Sequence, residues 1–419
     1  MRGNRAWDQL RRLSQRGRGE AVILGAARIV SASCALGIAV ASARQLGPSA
    51  RGEIVLVITV AMLVTELVCL GSDTTGRINI LRRRGLGVEG VEDLLGLSIA
   101  LTLIQGVVVG AVLVVIGEFL GLLQPALIPV GVLVGVSMFQ SRMLVSAGFA
   151  IRRPLAVAAR DVVVGLLPLV AVLALAVNQR LSVQNVLGLT AAGYIAGGSY
   201  LWVVVLRRSG AIRIKPRTWF PLLVSGMPVL GSGLFQMVAL RADRLIVGLA
   251  ATTVSLGVYS VAATAAEAPR VLLLAVTQIL SNRVATGEIV RTAYFRTITA
   301  VVAAHMVCLA SVALVGPRIL VPIVGSGFKE AKDQILLLVV AEALLGLHLV
   351  AVALLTGLAH FRNLPVPSAA GALVVVIGCA SFVRGEGGMT AATVRVVAFG
   401  VMALISWISL YRQLTRTRT

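Results

Sequence analysis

The sequence predicts an all-α integral membrane protein with about twelve transmembrane helices, arranged as two parallel six-helix repeats around a central cavity. Hydrophobic residues make up 58% of the 419-residue chain, charged residues only 13%, and the mean hydropathy is +0.95. Soluble domains do not have this composition. Apolar runs of about 18 residues or more recur along the chain, each long enough to cross a bilayer as a helix. The runs are continuous rather than alternating, which argues against a barrel.

The predicted spans follow one another with short connections. They cover residues 20–43, 54–76, 94–117, 126–149, 161–177, 186–206, 219–240, 254–280, 293–315, 333–356, 364–383 and 389–411. The basic linker RRSGAIRIKPRTWF separates two sets of six. Because six is even, both sets enter the membrane in the same sense, as parallel repeats do. We therefore divide the chain into a basic tail (1–19), a first half (20–206), a linker (207–218), a second half (219–411) and a second basic tail (412–419).

The net charge of +21 is explained by membrane topology, and no nucleic-acid partner is expected. With the amino terminus placed inside, more than half of the 38 lysines and arginines lie on the cytoplasmic side, and fewer than a quarter lie in outer loops. This asymmetry follows the positive-inside rule and predicts that both termini are cytoplasmic. Membrane lipids are the expected partners of much of this charge. Arginine used almost to the exclusion of lysine indicates a GC-rich bacterial genome, and hence a bacterial plasma membrane.

Motifs for catalysis are scarce. No connection is long enough for a soluble catalytic domain, and HExxH, GxSxG and P-loop patterns are absent from the sequence. The stretch GLGVEG at 85–90 fits GxGxxG, but it follows a transmembrane helix rather than a strand, so we interpret it as a turn. Glu89, Glu92 and Asp93 could hold Mg²⁺ in a membrane enzyme, but we interpret them as a solvated helix start. We expect no enzyme activity, no cofactor and no metal.

The turn between the first two spans is polar. Gly47-Pro48 supplies the turn, since proline fixes its own φ and restricts its neighbour. The predicted topology places this hairpin on the outer face. We assign Arg44 and Arg51 to solvated anchoring among lipid headgroups, with contact to an exported glycan as the alternative.

Two hairpins resemble those of a known family. The first is ARQLGPSARGEI (43–54), followed by an apolar helix and LGSDTTGRI (70–78), and the second contains ADRLIVG (242–248) and LGVYSVA (256–262). These stretches resemble bacterial polysaccharide flippases, the O-antigen and exopolysaccharide exporters of the multidrug/oligosaccharidyl-lipid/polysaccharide exporter superfamily. The lipid II flippase of the same superfamily resembles the chain less, because its group usually carries fourteen spans.

The resemblance implies a function and partners. Such a flippase moves polyprenyl-(pyro)phosphate-linked oligosaccharide from the inner to the outer leaflet by alternating access, for surface polysaccharide biosynthesis. The implied partners are the polyprenyl-linked glycan and other polysaccharide-assembly membrane proteins. The alternatives are a cation-coupled exporter of a soluble compound, of the multidrug-extruder or major-facilitator type, and a membrane enzyme of lipid-linked sugar synthesis.

Arginines within the spans are candidate substrate ligands, because a charge costs at least about 2.5–3.5 kcal/mol to insert and tends to face a cavity or a partner. Arg28 and Arg142 lie about 10–12 Å from the cytoplasmic ends of their helices, and Arg270 lies at a broadly similar depth. If their helices share a lumen, the three form a cationic patch for a pyrophosphate, which suits the planar guanidinium fork. The alternative is snorkelling or pairing, for example of Arg270 with Glu267.

Two buried carboxylates are candidate ion-coupling residues. Glu66 lies in the middle of the second span and Glu342 in the tenth. Either can take up a proton or a sodium ion in an antiport cycle. A buried ion pair with one of the arginines is the alternative.

Overall fold

The computed structural model of the protein describes residues 2–82, 90–285, 291–358, 364–383 and 387–416, and within them the chain is all-α. The described residues contain thirteen α-helices, one π-helical turn (Val115–Phe119) and two 3₁₀ turns (Pro125–Leu127 and Ser326–Phe328). The helices are α1 (Arg2–Cys69), α2 (Ser72–Arg82), α3 (Val91–Val114), α4 (Ile128–Ala150), α5 (Pro154–Val177), α6 (Val183–Ser209), α7 (Pro216–Ala250), α8 (Thr253–Glu267), α9 (Arg270–Ala285), α10 (Arg291–Val324), α11 (Ala331–Gly357), α12 (Pro365–Phe382) and α13 (Gly387–Arg416).

Helix α1 contains the first two predicted spans, joined by a kink. Gly47 adopts φ 80° and ψ −178°, a conformation that glycine reaches without steric cost. Pro48 then begins the second arm, residues 48–69. The predicted hairpin is therefore a kink between two helical arms rather than a separate loop. The second arm ends at Leu70 and Gly71, both with positive φ, and α2 follows.

Ten of the twelve predicted spans lie mainly on a single helix or on the first arm of α1, whereas 54–76 runs from the second arm of α1 into α2 and 254–280 covers both α8 and α9. Nine stretches of the described residues are each long and apolar enough to cross a membrane, and bent α7 makes a tenth. The stretch Ile23–Cys69 contains both arms of α1, and the predicted span 254–280 corresponds to α8 followed by α9. Pro269 interrupts that span, because proline has no N–H for the helical ladder. The protein is therefore a multi-pass membrane protein.

The two halves are α1–α6 and α7–α13, joined by residues 210–215. In the first half α1 packs on α5, and α4 packs between α3 and α6. In the second half α11 packs against α9, α10 and α13, and α12 packs against α7 and α13. Between the halves, α1 contacts α7 and α8, and α2 contacts α7. The core of the molecule thus includes a seam between two helical bundles.

The seam is tightly closed at the end of the molecule that contains the α1 kink, which we call the hairpin face. Ser49 Oγ lies 3.3 Å from Thr253 Oγ1 of the second half. Gly52 packs against the backbone of Thr253, and Gly257 packs against the backbone of Pro48, so closely that neither site has room for a Cβ. Glycine is required at both positions because the two backbones approach each other directly.

The halves also meet nearer the opposite end, which carries the 210–215 linker and which we call the linker face. Gly71 of the first half and Gly226 of α7 pack backbone to backbone. The linker is fixed to α3, because the Arg213 amide donates to the Glu92 carbonyl at 3.1 Å and the two side chains form an ion pair at 3.0 Å. The seam therefore has contacts toward both faces.

Candidate functional site

A cavity of about 590 Å³ lies between the two halves. Helices α1, α4, α5 and α6 line it from the first half, and α7, α8 and α9 line it from the second. Its charged lining residues are Arg51, Arg241, Arg244, Glu267 and Arg270. Four guanidinium groups thus face one carboxylate. Ser31, Ser33, Thr59, Thr190 and Thr264 supply hydroxyl groups, and most of the remaining lining is apolar.

Arg51 lies one turn beyond the kink, on the second arm of α1. Its side chain is 7% exposed and lines the cavity. Its nearest hydrogen-bond partner is Ser42 Oγ at 3.4 Å, its Nε has no partner, and it forms no ion pair with any described residue. The structure thus corrects the predicted solvated position of Arg51, because the kink turns this side chain inward. Arg44, before the kink, is exposed as predicted.

Arg241 and Arg244 lie inside α7, although the sequence placed them in an outer loop. The apolar residues after Arg244 extend the helix to Ala250, and the spacing of three puts both arginines on one face. Both donate to Glu267 of α8, from Arg241 Nη1 at 3.2 Å and from Arg244 Nη2 at 2.6 Å. The Nε of Arg244 is buried without a partner. This arrangement brings an unsatisfied donor next to the cavity.

Behind the cavity, Arg395 of α13 is completely buried and contacts three carboxylates. Its Nη1 donates to Asp243 at 3.1 Å, and its Nη2 donates to Glu267 at 2.8 Å and to Glu342 at 3.0 Å. Arg270 donates its Nε to Glu342 at 2.7 Å and forms a second bond to the same carboxylate. These bonds connect α7, α8, α9, α11 and α13. Buried charges of this kind are stable only when they are mutually paired.

A second network lies in the first half, near the linker face. Arg142 of α4 makes a bidentate contact with Glu66 of α1, at 2.5 and 3.3 Å. The same guanidinium donates its Nε to Asp73 of α2 at 3.0 Å. Asp73 Oδ1 is buried and has no partner. Arg142 is thus shared by two carboxylates.

Among the three arginines predicted to form one patch, the structure places only Arg270 at the cavity. Arg142 is held by Glu66 and Asp73 and is not a lining residue. Arg28 does not line the cavity either; its side chain is 42% exposed, with Nε 4.0 Å from Asp161. The predicted set therefore does not converge on one ligand position.

The two predicted coupling carboxylates are both in ion pairs. Glu66 holds Arg142, and Glu342, which is 1% exposed, holds Arg270 and Arg395. Glu92 and Asp93 lie in the first turn of α3, where Glu92 pairs with Arg213. Residues 85–89 of the GLGVEG stretch, including Glu89, lie outside the described residues.

Sequence reasoning missed Arg51, Arg241 and Arg244 as cavity residues. The available signal was their context, since Asp243-Arg244 is a charged pair between apolar residues inside ADRLIVG. Arginine and aspartate in such a run need partners within the protein if the run is helical. The predicted seventh span ends at residue 240, which leaves both arginines in the following connection, whereas α7 continues to Ala250.

Comparison with known proteins gives the fold class. No protein-family model matches the chain, and no curated protein matches its sequence. Solved structures do match it. One is an inward-facing multidrug resistance MATE family transporter of the MOP superfamily, with a TM-score of 0.72 at 15% identity, covering 95% of this chain and 100% of that one. Another is the lipid II flippase MurJ in an inward closed conformation, with a TM-score of 0.73 at 11% identity, covering 93% of this chain and 87% of MurJ.

A third solved structure matches over a similar share of the chain. An outward-facing MATE family transporter of the MOP superfamily gives a TM-score of 0.62 at 16% identity, covering 96% of each chain. The present chain thus has the twelve-helix, two-repeat fold of these transporters. The proteins that share this fold are transporters rather than enzymes.

Proposed function

We propose that the protein is a flippase that moves a polyprenyl-(pyro)phosphate-linked oligosaccharide from the inner to the outer leaflet. The observation that carries the proposal is the uncompensated positive charge of the cavity. Arg51 is buried without a carboxylate partner among the described residues, and it lines the same cavity as Arg244 of the other half. Buried unpaired charge is costly, so an anionic ligand that pairs with it binds strongly.

The amount of excess charge suits a diphosphate. Arg51 and the second-half network together contain five arginines and three carboxylates, which leaves two positive charges in excess. A diphosphate that bridges a lipid and a sugar carries one ionised oxygen on each phosphorus. The unpartnered Nε groups of Arg51 and Arg244 are donors available to such oxygens. Arg270 and Arg241 add further donors at the same cavity.

An apolar groove adjoins the cavity and offers a binding site for a lipid tail. The groove, of about 410 Å³, lies between the first arm of α1, α8 and α10, and its lining is almost entirely apolar. It shares Leu36, Ala39, Thr264 and Ala268 with the cavity. A ligand with an anionic head and a long hydrocarbon tail therefore fits the two spaces together, while hydroxyl groups in the cavity suit a sugar.

Alternating access gives a route across the membrane. Arg51 belongs to the first half and Arg244 to the second, so an anion between them stabilises the conformation in which the halves approach. The predicted topology assigns the linker face to the cytoplasm and the hairpin face to the outside. In that orientation the contacts at Gly52 and Gly257 close the outer exit, and rocking of the halves opens it.

A cation-coupled exporter is the second candidate, and the first-half network favours ion coupling. Two carboxylates share Arg142, and the buried oxygen Asp73 Oδ1 has no partner. A proton or a sodium ion at Asp73 would compensate that charge. Glu66 and Glu342 remain proposed coupling residues. A flippase driven by an ion gradient could use the same network. Ion coupling therefore does not distinguish a lipid-linked substrate from a soluble one.

A strain that lacks the protein tests the substrate. We expect polyprenyl-linked glycan to accumulate in its lipid extracts, measured by mass spectrometry, and to clear when the wild-type gene is restored. The Arg51→Gln variant is expected to leave accumulation at least about tenfold above the wild-type level, because it removes the unpaired guanidinium while keeping polar bulk.

Arg44→Gln is the matched control. It removes the same charge from the same helix, at an exposed position before the kink, and is expected to clear the lipid normally. Membrane levels of each variant are compared by immunoblot. Normal surface glycan without lipid accumulation in the deletion strain would refute the flippase proposal and leave export of a soluble compound as the function.

A further inference from the structure

We infer that Glu267 is an internal competitor of the substrate, which occupies the cavity arginines when the cavity is empty and is displaced when an anion binds. This inference rests on the proposed function, since it assumes an anionic ligand. Glu267 is the only carboxylate among the described lining residues of the cavity, and three of the four lining arginines lie around it.

The geometry of Glu267 is that of a ligand mimic. Its Oε2 accepts from Arg241 at 3.2 Å, and its Oε1 accepts from Arg244 at 2.6 Å. Arg270 Nη2 lies 3.6 Å from the same Oε1. A diphosphate oxygen that approaches Arg241 Nη1 or Arg244 Nη2 competes with Glu267 for those donors, whereas the unpartnered Arg244 Nε is available to the ligand without competition.

Displacement does not leave Glu267 without a counter-ion. Its Oε1 also accepts from Arg395, at 2.8 Å, and Arg395 lies behind the cavity rather than in it. Glu267 can therefore retain one buried ion pair after Arg241 and Arg244 turn to the ligand. Without Arg395, a displaced carboxylate would carry the full cost of an unpaired buried charge. The Glu267–Arg395 ion pair therefore lowers the free-energy cost of transferring Arg241 and Arg244 from Glu267 to the ligand.

Competition also gives the empty cavity a stable form. With Glu267 in place, Arg241, Arg244 and Arg270 are held close to their positions for ligand binding rather than driven apart by repulsion. Only Arg51 lacks a carboxylate partner among the described cavity arginines. The affinity for the anion is then set by the difference between ligand and Glu267 contacts, which allows release after transport.

Binding of farnesyl diphosphate to the full-length protein in nanodiscs tests the inference. The Glu267→Gln variant is expected to bind this probe about tenfold more tightly than the wild type, because the arginines no longer give up a charge-assisted bond. Glu267→Asp, which keeps the charge but loses reach, is expected to fall between the two. Farnesol lacks the diphosphate, so its affinity is expected to be the same for the wild type and for both Glu267 variants. If Glu267→Gln does not fold, the Glu267→Asp comparison decides.

Two controls separate competition from a general charge effect. Glu118→Gln in the first half and Asp333→Asn in the second each remove an exposed carboxylate that does not line the cavity. Neither is expected to tighten binding. Equal tightening in these variants, or no tightening in both Glu267 variants, would overturn the inference while leaving the flippase proposal intact. Absence of saturable diphosphate binding in the wild type and in Glu267→Gln would overturn the proposed function itself.

Discussion

Arg395→Ala is expected to be the most destabilising single substitution in the protein. Arg395 is completely buried, and Asp243, Glu267 and Glu342 all accept from it within 3.1 Å. Removing one partner of a buried ion pair costs about 3–5 kcal/mol, because the remaining charge is left unpaired. Here three carboxylates lose a shared partner. We expect a large fall in the melting temperature of the purified protein, measured by intrinsic fluorescence, and low levels in the membrane.

Two further variants identify the cause. Arg412→Ala removes an exposed arginine from the same helix, α13, and is expected to melt within experimental error of the wild type. Adding Glu342→Gln to Arg395→Ala is expected to restore part of the lost stability, because it removes one of the stranded charges. Wild-type melting of Arg395→Ala would show that the three carboxylates do not depend on this guanidinium.

Substitution of Gly257 is expected to have the second largest effect, on conformation rather than on folding. A Cβ at this position would overlap the backbone of Pro48, so the seam could not close at the hairpin face. Overpacking of this kind costs about 1–3 kcal/mol. Ser49→Cys with Thr253→Cys, in a background without the native cysteines, should form a disulfide across the seam. Gly257→Ala is expected to lower its yield about tenfold, measured by gel shift after oxidation.

Gly188→Ala controls for the loss of a glycine as such. Gly188 lies in α6, and nothing approaches within 4 Å of the position its Cβ would take. Cross-linking in this variant is expected to match the parent. Efficient cross-linking in Gly257→Ala would mean that the backbone of Pro48 yields without opening the seam.

The fold could be predicted from the sequence because hydrophobic length and span number are properties of single segments. The runs at 20–43 and 54–76 predicted two helices, and the two arms of α1 confirm them. The conformation of the connection between these two helices was harder to predict, because Gly47-Pro48 is compatible with either a loop or a kink. The end of the seventh span was placed too early, because Arg241 and Arg244 were interpreted as loop charges.

The site was less predictable, because charge pairing is a property of three dimensions. For Arg28, Arg142 and Arg270 the sequence gives only the depth of each residue along its predicted helix. Depth does not determine the direction in which the side chain points. Arg142 meets Glu66 across 76 residues of sequence, and Arg395 meets Asp243 across 152. Only the packing of the helices shows that Arg142 is compensated and that Arg51 is not.

The ion pairs of the described residues share one feature with consequences for evolution. Each joins groups within one half, except the pair that fixes the linker to α3. The seam itself depends on close backbone packing at glycines. Motion and substrate recognition are therefore encoded by different residues. A lineage can replace the charges of the cavity, and so acquire a different cargo, without altering the surfaces on which its two halves move.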